Sequence, residues 1–401
     1  MKILYVHQYF KTPQEGGSIR SYYLASGLVE NGYEVEMITA HNKKRYEQQD
    51  IDGIRVHYLP VYYDNHLGFI GRILSFLKFF YLSTRLARKI KGVDLVYAMT
   101  TPLTVGLIAL RLKKKYDLPY YFEVGDLWPK APVDMGFIKN RFLTRYLYSL
   151  EKKIYLQSEK IIALSPSIRN YIEGIAPGKK VYLIPNMADV NYFKPTNSRK
   201  NHFGKFVISY FGAVGKANHL EYLLEAARLC QTHLPQVHFN IMGYGSELER
   251  LSTLATQTNI SNLEFVKYGS KKCVRKLLDR TDAVYVSFAD YKVLNTGSPN
   301  KFFDALAAGK LVITNFEGWL KEVVDAHKCG FSYDPNYPEE FVQQISTFVT
   351  NRDLLETYQN NSRQIAEMYY SRDLQLKKLL KLLNNEHHLE LTDSEVYILT
   401  A

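Results

Sequence analysis

Thr296-Gly297-Ser298-Pro299-Asn300-Lys301-Phe302-Phe303-Asp304-Ala305-Leu306-Ala307-Ala308-Gly309-Lys310 reads as a tight turn followed by a helix whose two ends are both marked. Gly297 permits the turn, Ser298 can cap, and Pro299 suits the first helical position, where a missing N–H costs nothing. Gly309 reads as the stop after Ala308. Bare amides and the positive dipole end of such a helix make a site for a phosphate or diphosphate. Lys301, in the first turn, adds a cationic contact. Asp304, about one turn deeper, can accept hydrogen bonds from ribose hydroxyls. The same residues would also suit a plain, well-capped helix with an exposed Lys and Asp. Position separates the two readings.

Working backwards, the segment follows the fourth of a series of strand-like runs, Phe206–Phe211, Val237–Met242, Leu263–Val266 and Ala283–Phe288, with a fifth, Leu311–Thr314, after it. Helical patterns separate the runs, which predicts crossover units and a mainly parallel sheet. A helix entered from such a strand starts at the carboxyl edge, where open α/β sheets bind ligands. Further upstream, Asn191-Tyr192-Phe193-Lys194-Pro195-Thr196-Asn197-Ser198 is polar and proline-bearing and reads as a linker, taken as residues 191–204. Before it lies an earlier series: Ile3–Val6, Val35–Thr39, Ile54–Leu59, Leu95–Met99, Tyr120–Val124, Lys160–Leu164 and Tyr182–Ile184. The helix over Ser18–Glu30 has Ser18 as its cap and Asn31-Gly32 as its stop. The expected fold is therefore α/β, with two Rossmann-like domains, residues 1–190 and 205–355, facing across a cleft. Residues 356–401 supply a helix (Glu356–Leu383), read as returning to the first domain, and an unassigned tail.

The 401 residues suffice for two cores of ordinary size. The net charge of +11 is uneven: Met1–Asp189 holds 27 Lys and Arg against 17 Asp and Glu, and the remainder 24 against 23. Much of the excess lies in Gly68–Lys91 (GFIGRILSFLKFFYLSTRLARKIK), which has no acidic residue. That helix either lies on an anionic membrane surface or is a core helix whose basic residues form its wet face; both produce the same periodicity. Its apolar run is interrupted by Arg72 and Lys78 and is too short to span a bilayer. Three scattered cysteines, Cys230, Cys273 and Cys329, match no metal-ligand spacing and fit a reducing compartment. Met1–Val6 runs straight into a strand without a signal-peptide pattern, so the expected location is the cytoplasm, peripheral to the inner face of a membrane. His7 and His41 have no partner spacing, His387-His388 lies in the tail, and no metal site is assigned. No nucleic-acid motif accompanies the charge, and none is expected as a partner. A nicotinamide oxidoreductase is disfavoured: Gln8-Tyr9-Phe10-Lys11 follows the first strand where three spaced glycines are needed.

Five motifs in order resemble the family-4 (group 1) glycosyltransferases, in particular the bacterial surface-polysaccharide branch with its N-acetyl-fucosamine transferase-like members. Glu15-Gly16-Gly17-Ser18 resembles the glycine loop after the first strand, and Gly125-Asp126-Leu127-Trp128-Pro129 the Asp-Leu-Trp-Pro stretch of that branch. Ile184-Pro185-Asn186-Met187-Ala188-Asp189 resembles the junction signature, Met242-Gly243-Tyr244-Gly245 the later Gly-x-Gly, and Ser298–Gly309 the donor-binding helix. The resemblance implies a GT-B fold and transfer, with retention, of an N-acetylhexosamine or related sugar from a nucleoside diphosphate. UDP is implied by family frequency. The implied acceptor is a saccharide or polyprenyl-linked chain in capsule, O-antigen or exopolysaccharide synthesis.

On that basis Gly16, Gly17, Lys216, Gly243, Ser298, Pro299, Asn300, Lys301 and Asp304 are expected at the donor diphosphate and ribose, and Thr296 and Gly297 at the donor sugar. Asp126, on the loop after Tyr120–Val124, is the catalytic candidate for orienting or deprotonating an acceptor hydroxyl; an ordinary cap is the other role open to it. No metal or cofactor is expected. Two departures stand out. The family's paired glutamates fall on Thr296 and Asp304, so the first carboxylate is missing. Its usual Arg and Lys fall on Ala213 and Asn218. A sugar-nucleotide-binding protein without transferase activity is the alternative these departures leave open.

Overall fold

The computed structural model describes residues 1–17, 19–64, 67–196 and 204–384. Ser18, Asn197, Ser198 and His387-His388 lie outside the described residues.

The first domain is built on strands β1 (Lys2–Val6), β2 (Glu34–His41), β3 (Glu47–Ile51), β4 (Ile54–Pro60), β5 (Leu95–Met99), β6 (Tyr120–Val124), β7 (Lys160–Ala163) and β8 (Val181–Leu183). Their order is β3-β4-β2-β1-β5-β6-β7-β8, and every pairing except β3–β4 is parallel. Helices α1 (Arg20–Glu30), α2 (Phe69–Ala87), α3 (Thr104–Tyr116), α4 (Lys130–Asp134), α5 (Arg141–Gln157) and α6 (Pro166–Ile175) connect them. β5 (LVYAM) and β6 (YYFEV) are buried along their whole length, as strands covered by helices on both faces must be. One face packs against α2, α3, α5 and α6. Helix α1 covers the other.

The second domain has β9 (Phe206–Ala213), β10 (Val237–Tyr244), β11 (Leu263–Val266), β12 (Ala283–Val286), β13 (Leu311–Thr314) and β14 (Gly330–Ser332), ordered β11-β10-β9-β12-β13-β14 and all parallel. Its helices are α7 (Glu221–His233), α8 (Leu248–Gln257), α9 (Lys271–Leu278), α10 (Asn300–Ala307), α11 (Trp319–His327), α12 (Pro338–Thr350) and α13 (Arg352–Ile365). In both sheets strand order reverses beside the first strand, between β1 and β5 and between β9 and β12. That crevice at the carboxyl edge is where such sheets hold ligands.

Two strands lie outside the runs read from the sequence. Polar β3 (EQQDI) is an exposed edge, and β14 is only three residues long. The segment Glu356–Leu383, read as one helix, is broken: α13 gives way to a π-helical turn (Ala366–Tyr370), and α14 (Arg372–Leu383) begins after Ser371. At this break the chain recrosses to the first domain. Ala188 N–H donates to Tyr370 C=O at 2.7 Å and Arg372 N–H to Ala188 C=O at 3.1 Å, so the outgoing and returning crossings run side by side. Leu379, Leu382 and Leu383 then complete the α1 side of the first core. Contact is close enough that a Cβ on Gly27 would lie 2.4 Å from a methyl of Leu376.

Candidate active site

Helix α10 begins at Asn300 with Pro299 as its cap, and no side chain caps it. This corrects the expected arrangement by one residue: Pro299 is outside the helix, and Ser298 does not bond to it. Ser298 is instead buried at the domain junction, where its Oγ accepts from Asn186 N–H at 3.3 Å and its carbonyl from Asn186 Nδ2. The junction asparagine thus seats the start of α10, whose first-turn N–H groups point out of the helix end.

A cavity of about 310 Å³ lies between the domains at this point. Gly16, Gly17, Ile19, Arg20 and Tyr23 line it from the first domain, and Met187, Asp189 and Phe193 from the junction. Gly212, Ala213, Tyr244, Tyr268, Lys271, Asn300, Lys301 and Asp304 line it from the second. Gly16 and Gly17 need their glycines: φ is +73° and +88°, a region that side chains disfavour. Five residues read from the sequence, Gly16, Gly17, Asn300, Lys301 and Asp304, therefore face one space.

The charges in it are desolvated. Burial lowers the Lys301 ammonium to about 7, while its Nζ donates to Tyr210 Oη at 2.7 Å and sits 3.9 Å from the centre of that ring. Burial also raises the Asp304 carboxyl to about 7, opposed by the charge of Lys271 and reinforced by that of Asp189. Desolvation alone would raise Asp189 as well, but the charge and hydrogen bond of Lys271 outweigh it and hold this carboxyl below its usual value. Lys271 Nζ bonds to Asp189 and donates to Tyr23 Oη at 2.7 Å, and Tyr23 donates in turn to Asp189 at 2.9 Å. The ammonium also lies 4.8, 4.5 and 5.1 Å from the rings of Tyr23, Tyr192 and Phe193. One cation thereby joins both domains and the junction.

Beneath the cavity, Arg20 and Glu123 form a fully buried ion pair at 2.8 and 3.1 Å. Arg20 also donates to the carbonyls of Ile184 at 2.9 Å and Pro185 at 2.5 Å, and Tyr97 donates to Glu123. Helix α1, strand β6 and the junction are pinned to one another through this guanidinium.

The remaining expected residues lie elsewhere. Lys216 is exposed and outside the cavity lining. Gly243 is buried below it, where a Cβ would lie 2.4 Å from the Gly212 carbonyl, so this glycine serves the close approach of β9 and β10. Thr296 and Gly297 do not line the cavity. Thr296 C=O accepts from Ser165 Oγ of the first domain at 2.6 Å, and Gly297 C=O from Trp319 Nε1 at 2.8 Å. The first contact docks the two domains, and the second braces the turn within its own domain. Asp126 is also outside the lining, on the loop leaving β6, which is fixed by a 2.9 Å bond from Gly125 N–H to Thr100 Oγ1. It keeps contact with solvent while protein surrounds its flanks, and that desolvation raises its carboxyl. Sequence reasoning missed Tyr23, Lys271 and the Arg20–Glu123 pair. Asp189 stood in the junction motif without an assigned role. Tyr244, between the glycines of the Gly-x-Gly motif, lines the cavity and also packs 4.5 Å from the Tyr268 ring.

Two family models match adjoining stretches of the chain: Glycosyltransferase Family 4 over residues 15–192 and Glycosyl transferases group 1 over 193–365. The chain belongs to the group 1 glycosyltransferases. The boundary between the matches falls at the junction that carries Asp189 and Phe193. None of the curated proteins matches the sequence. Among solved structures, this glycosyltransferase is similar to sucrose-phosphate synthase from Thermosynechococcus elongatus, with 16% identity, 96% of this chain and 99% of that one covered, and a TM-score of 0.76. It is also similar to Anabaena HepE in complex with UDP-glucose (16% identity, 96% and 100% covered, TM-score 0.70). A third is WaaG, a glycosyltransferase involved in lipopolysaccharide biosynthesis (14% identity, 95% and 99% covered, TM-score 0.68). At these identities the likeness establishes the fold, the two-domain GT-B architecture.

Proposed function

We propose that this glycosyltransferase transfers a sugar, an N-acetylhexosamine or a close relative, from UDP to a saccharide or polyprenyl-linked acceptor on the cytoplasmic side of a membrane. The proposed pathway is bacterial surface-polysaccharide synthesis. The observation that carries the reading is the convergence of Gly16 and Gly17 with Lys301 and Asp304 on one cavity at the start of α10. The complex of HepE with UDP-glucose, on the same fold, supports a nucleotide sugar as donor.

In this reading the α10 amides and Lys301 take the negative charge that grows on the leaving diphosphate, without a metal, and Asp304 accepts from the ribose hydroxyls. Retention follows if the acceptor hydroxyl attacks from the leaving-group face and a donor phosphate oxygen takes its proton. That route needs no carboxylate at Thr296. Asp126, outside the donor cavity at the carboxyl edge of the first sheet, orients the acceptor. The contacts closing the cleft keep water from the donor. The missing glutamate favours one rival, a binding protein without turnover.

Calorimetry with UDP tests the donor site. Lys301→Ala and Asp304→Ala should each lower affinity, about tenfold to a hundredfold for the lysine, the worth of one charged hydrogen bond; unchanged affinity in both would remove the site. Asp126→Asn should bind UDP normally and fail to transfer. Turnover of a UDP-sugar by the wild-type chain separates the enzyme from the binding protein.

A further inference from the structure

The outward face of α2 is not the wet basic face that a core helix would present. Ile70, Leu74, Leu77 and Tyr81 are 73, 61, 51 and 62% exposed. Their spacing of i, i+4, i+7 and i+11 makes one continuous stripe, the pattern that ordinarily marks a helix's buried side. The side that is buried carries Phe76, Phe79 and Ala87. The helix therefore has two apolar faces and only one is covered by the protein. Single exposed apolar residues are normal, but an aligned row of them is not. The same outward face becomes basic towards its far end, with Lys78, Arg85 and Arg88 exposed.

A second segment repeats the composition. At the start of α5, Phe142 and Tyr146 are 77 and 64% exposed, each directly after an exposed arginine, Arg141 and Arg145. Helices α2 and α5 pack on the same face of the first sheet. The segment carrying Asp126 reaches both helices. Trp128 packs edge-on against Phe76 of α2 at 5.9 Å, while Asp134 and Lys130 of α4 act electrostatically on Tyr148 and Glu151 of α5.

We propose that α2 and the start of α5 form a docking surface for an anionic lipid bilayer. The charge chooses this occupant. Residues 68–91 contain six Lys and Arg and residues 137–149 three, with no Asp or Glu in either. Charge is depleted at the core of a protein–protein interface, whereas basic residues without counter-charge, flanking exposed aromatic and aliphatic side chains, suit anionic headgroups above an acyl boundary. No helix among the described residues is long and apolar enough to cross the bilayer, so the contact is in-plane. The proposal rests on the reading above only for what it serves: an acceptor held in the same membrane would reach the Asp126 loop without leaving it.

The test is flotation of the full chain with phosphatidylcholine vesicles, with and without phosphatidylglycerol, in low and high salt, alongside UDP calorimetry and light scattering. The wild-type chain should float with the anionic vesicles in low salt only. Ile70→Ser/Leu74→Ser/Leu77→Ser should lose binding by on the order of tenfold or more, and Arg85→Glu/Arg88→Glu by a similar factor. Both variants should keep the wild-type melting temperature and UDP affinity. No flotation of the wild-type chain, or undiminished flotation of both variants, would overturn the proposal. So would a wild-type dimer that the serine variant dissolves, because the stripe would then be covered by a second copy. Flotation without UDP binding would fault the transferase reading and leave the docking surface standing; UDP binding without flotation would do the reverse.

Discussion

Lys301 and Asp304 are three residues apart on α10, and the same burial brings both close to pH 7. Their signs are opposite, which fixes the shape of the pH dependence. Above about 7 the empty cavity holds neutral Lys301, and an arriving diphosphate must restore its proton; affinity then falls by up to about tenfold per pH unit. Below about 7 Asp304 gains a proton and loses an acceptor for ribose hydroxyls. Affinity for a nucleotide sugar, whose own diphosphate does not titrate here, should peak near neutrality. Calorimetry across pH should show Lys301→Met flattening the alkaline limb and Asp304→Asn the acid limb; a flat wild-type profile would mean that neither group meets the ligand. This pair was legible in the sequence because its information is local: a turn, a helix start and two polar residues at fixed offsets. Lys271 was not. Nothing around Lys271-Lys272 distinguishes it from a surface pair, and only tertiary contact with Tyr23 and Asp189 gives it meaning.

Among the elements, the junction between α1, β6 and the start of α10 carries the heaviest electrostatic commitment. Glu123→Gln would leave the Arg20 charge buried without its counter-ion, which in comparable cases costs about 3–5 kcal/mol. Chemical unfolding should show a loss of that order for the first domain, and Arg20→Met/Glu123→Leu together should cost less than the single change. Neither partner looked special in sequence, because a mid-strand Glu and a first-turn Arg are each ordinary until the fold brings them together. Most strands were legible from buried apolar runs. Strand β3 was not, since its exposed residues look like a loop. A signal was present: Asp52-Gly53, with φ of +48° and +80°, is the two-residue turn that pairs Ile51 with Ile54. The misplacement at Ser298 has a similar cause. A serine before a proline resembles a helix cap until a junction asparagine claims both its hydroxyl and its carbonyl.

Across the whole molecule, the two domains meet through small polar contacts, Lys271 with Tyr23 and Asp189, Ser165 with Thr296, and Asn186 with Ser298, and through a small apolar one, Val293 and Leu294 packed on the first core. Interfaces of this kind permit relative domain motion, and substrate entry requires it. Lys271→Met removes a cation that touches both domains and the junction. Solution X-ray scattering should then report a larger radius of gyration without loss of secondary structure, and an unchanged radius would assign closure to the other contacts. The two-domain plan itself was readable from the alternation of strands and helices, and so was the cleft. The break between α13 and α14 was not, because the helical pattern runs on through a π turn that only the junction demands.

That returning helix has a consequence for how the protein comes into being. A ribosome releases residues in order, and the α1 side of the first core stays incomplete until Leu379, Leu382 and Leu383 emerge, after the whole second domain. The N-terminal half must wait, partly greasy, while the other half is made. Its maturation therefore waits on synthesis of the second domain, and a nascent chain cut short before α14 should be captured by chaperones or degraded, although every residue of its own sheet is already in place.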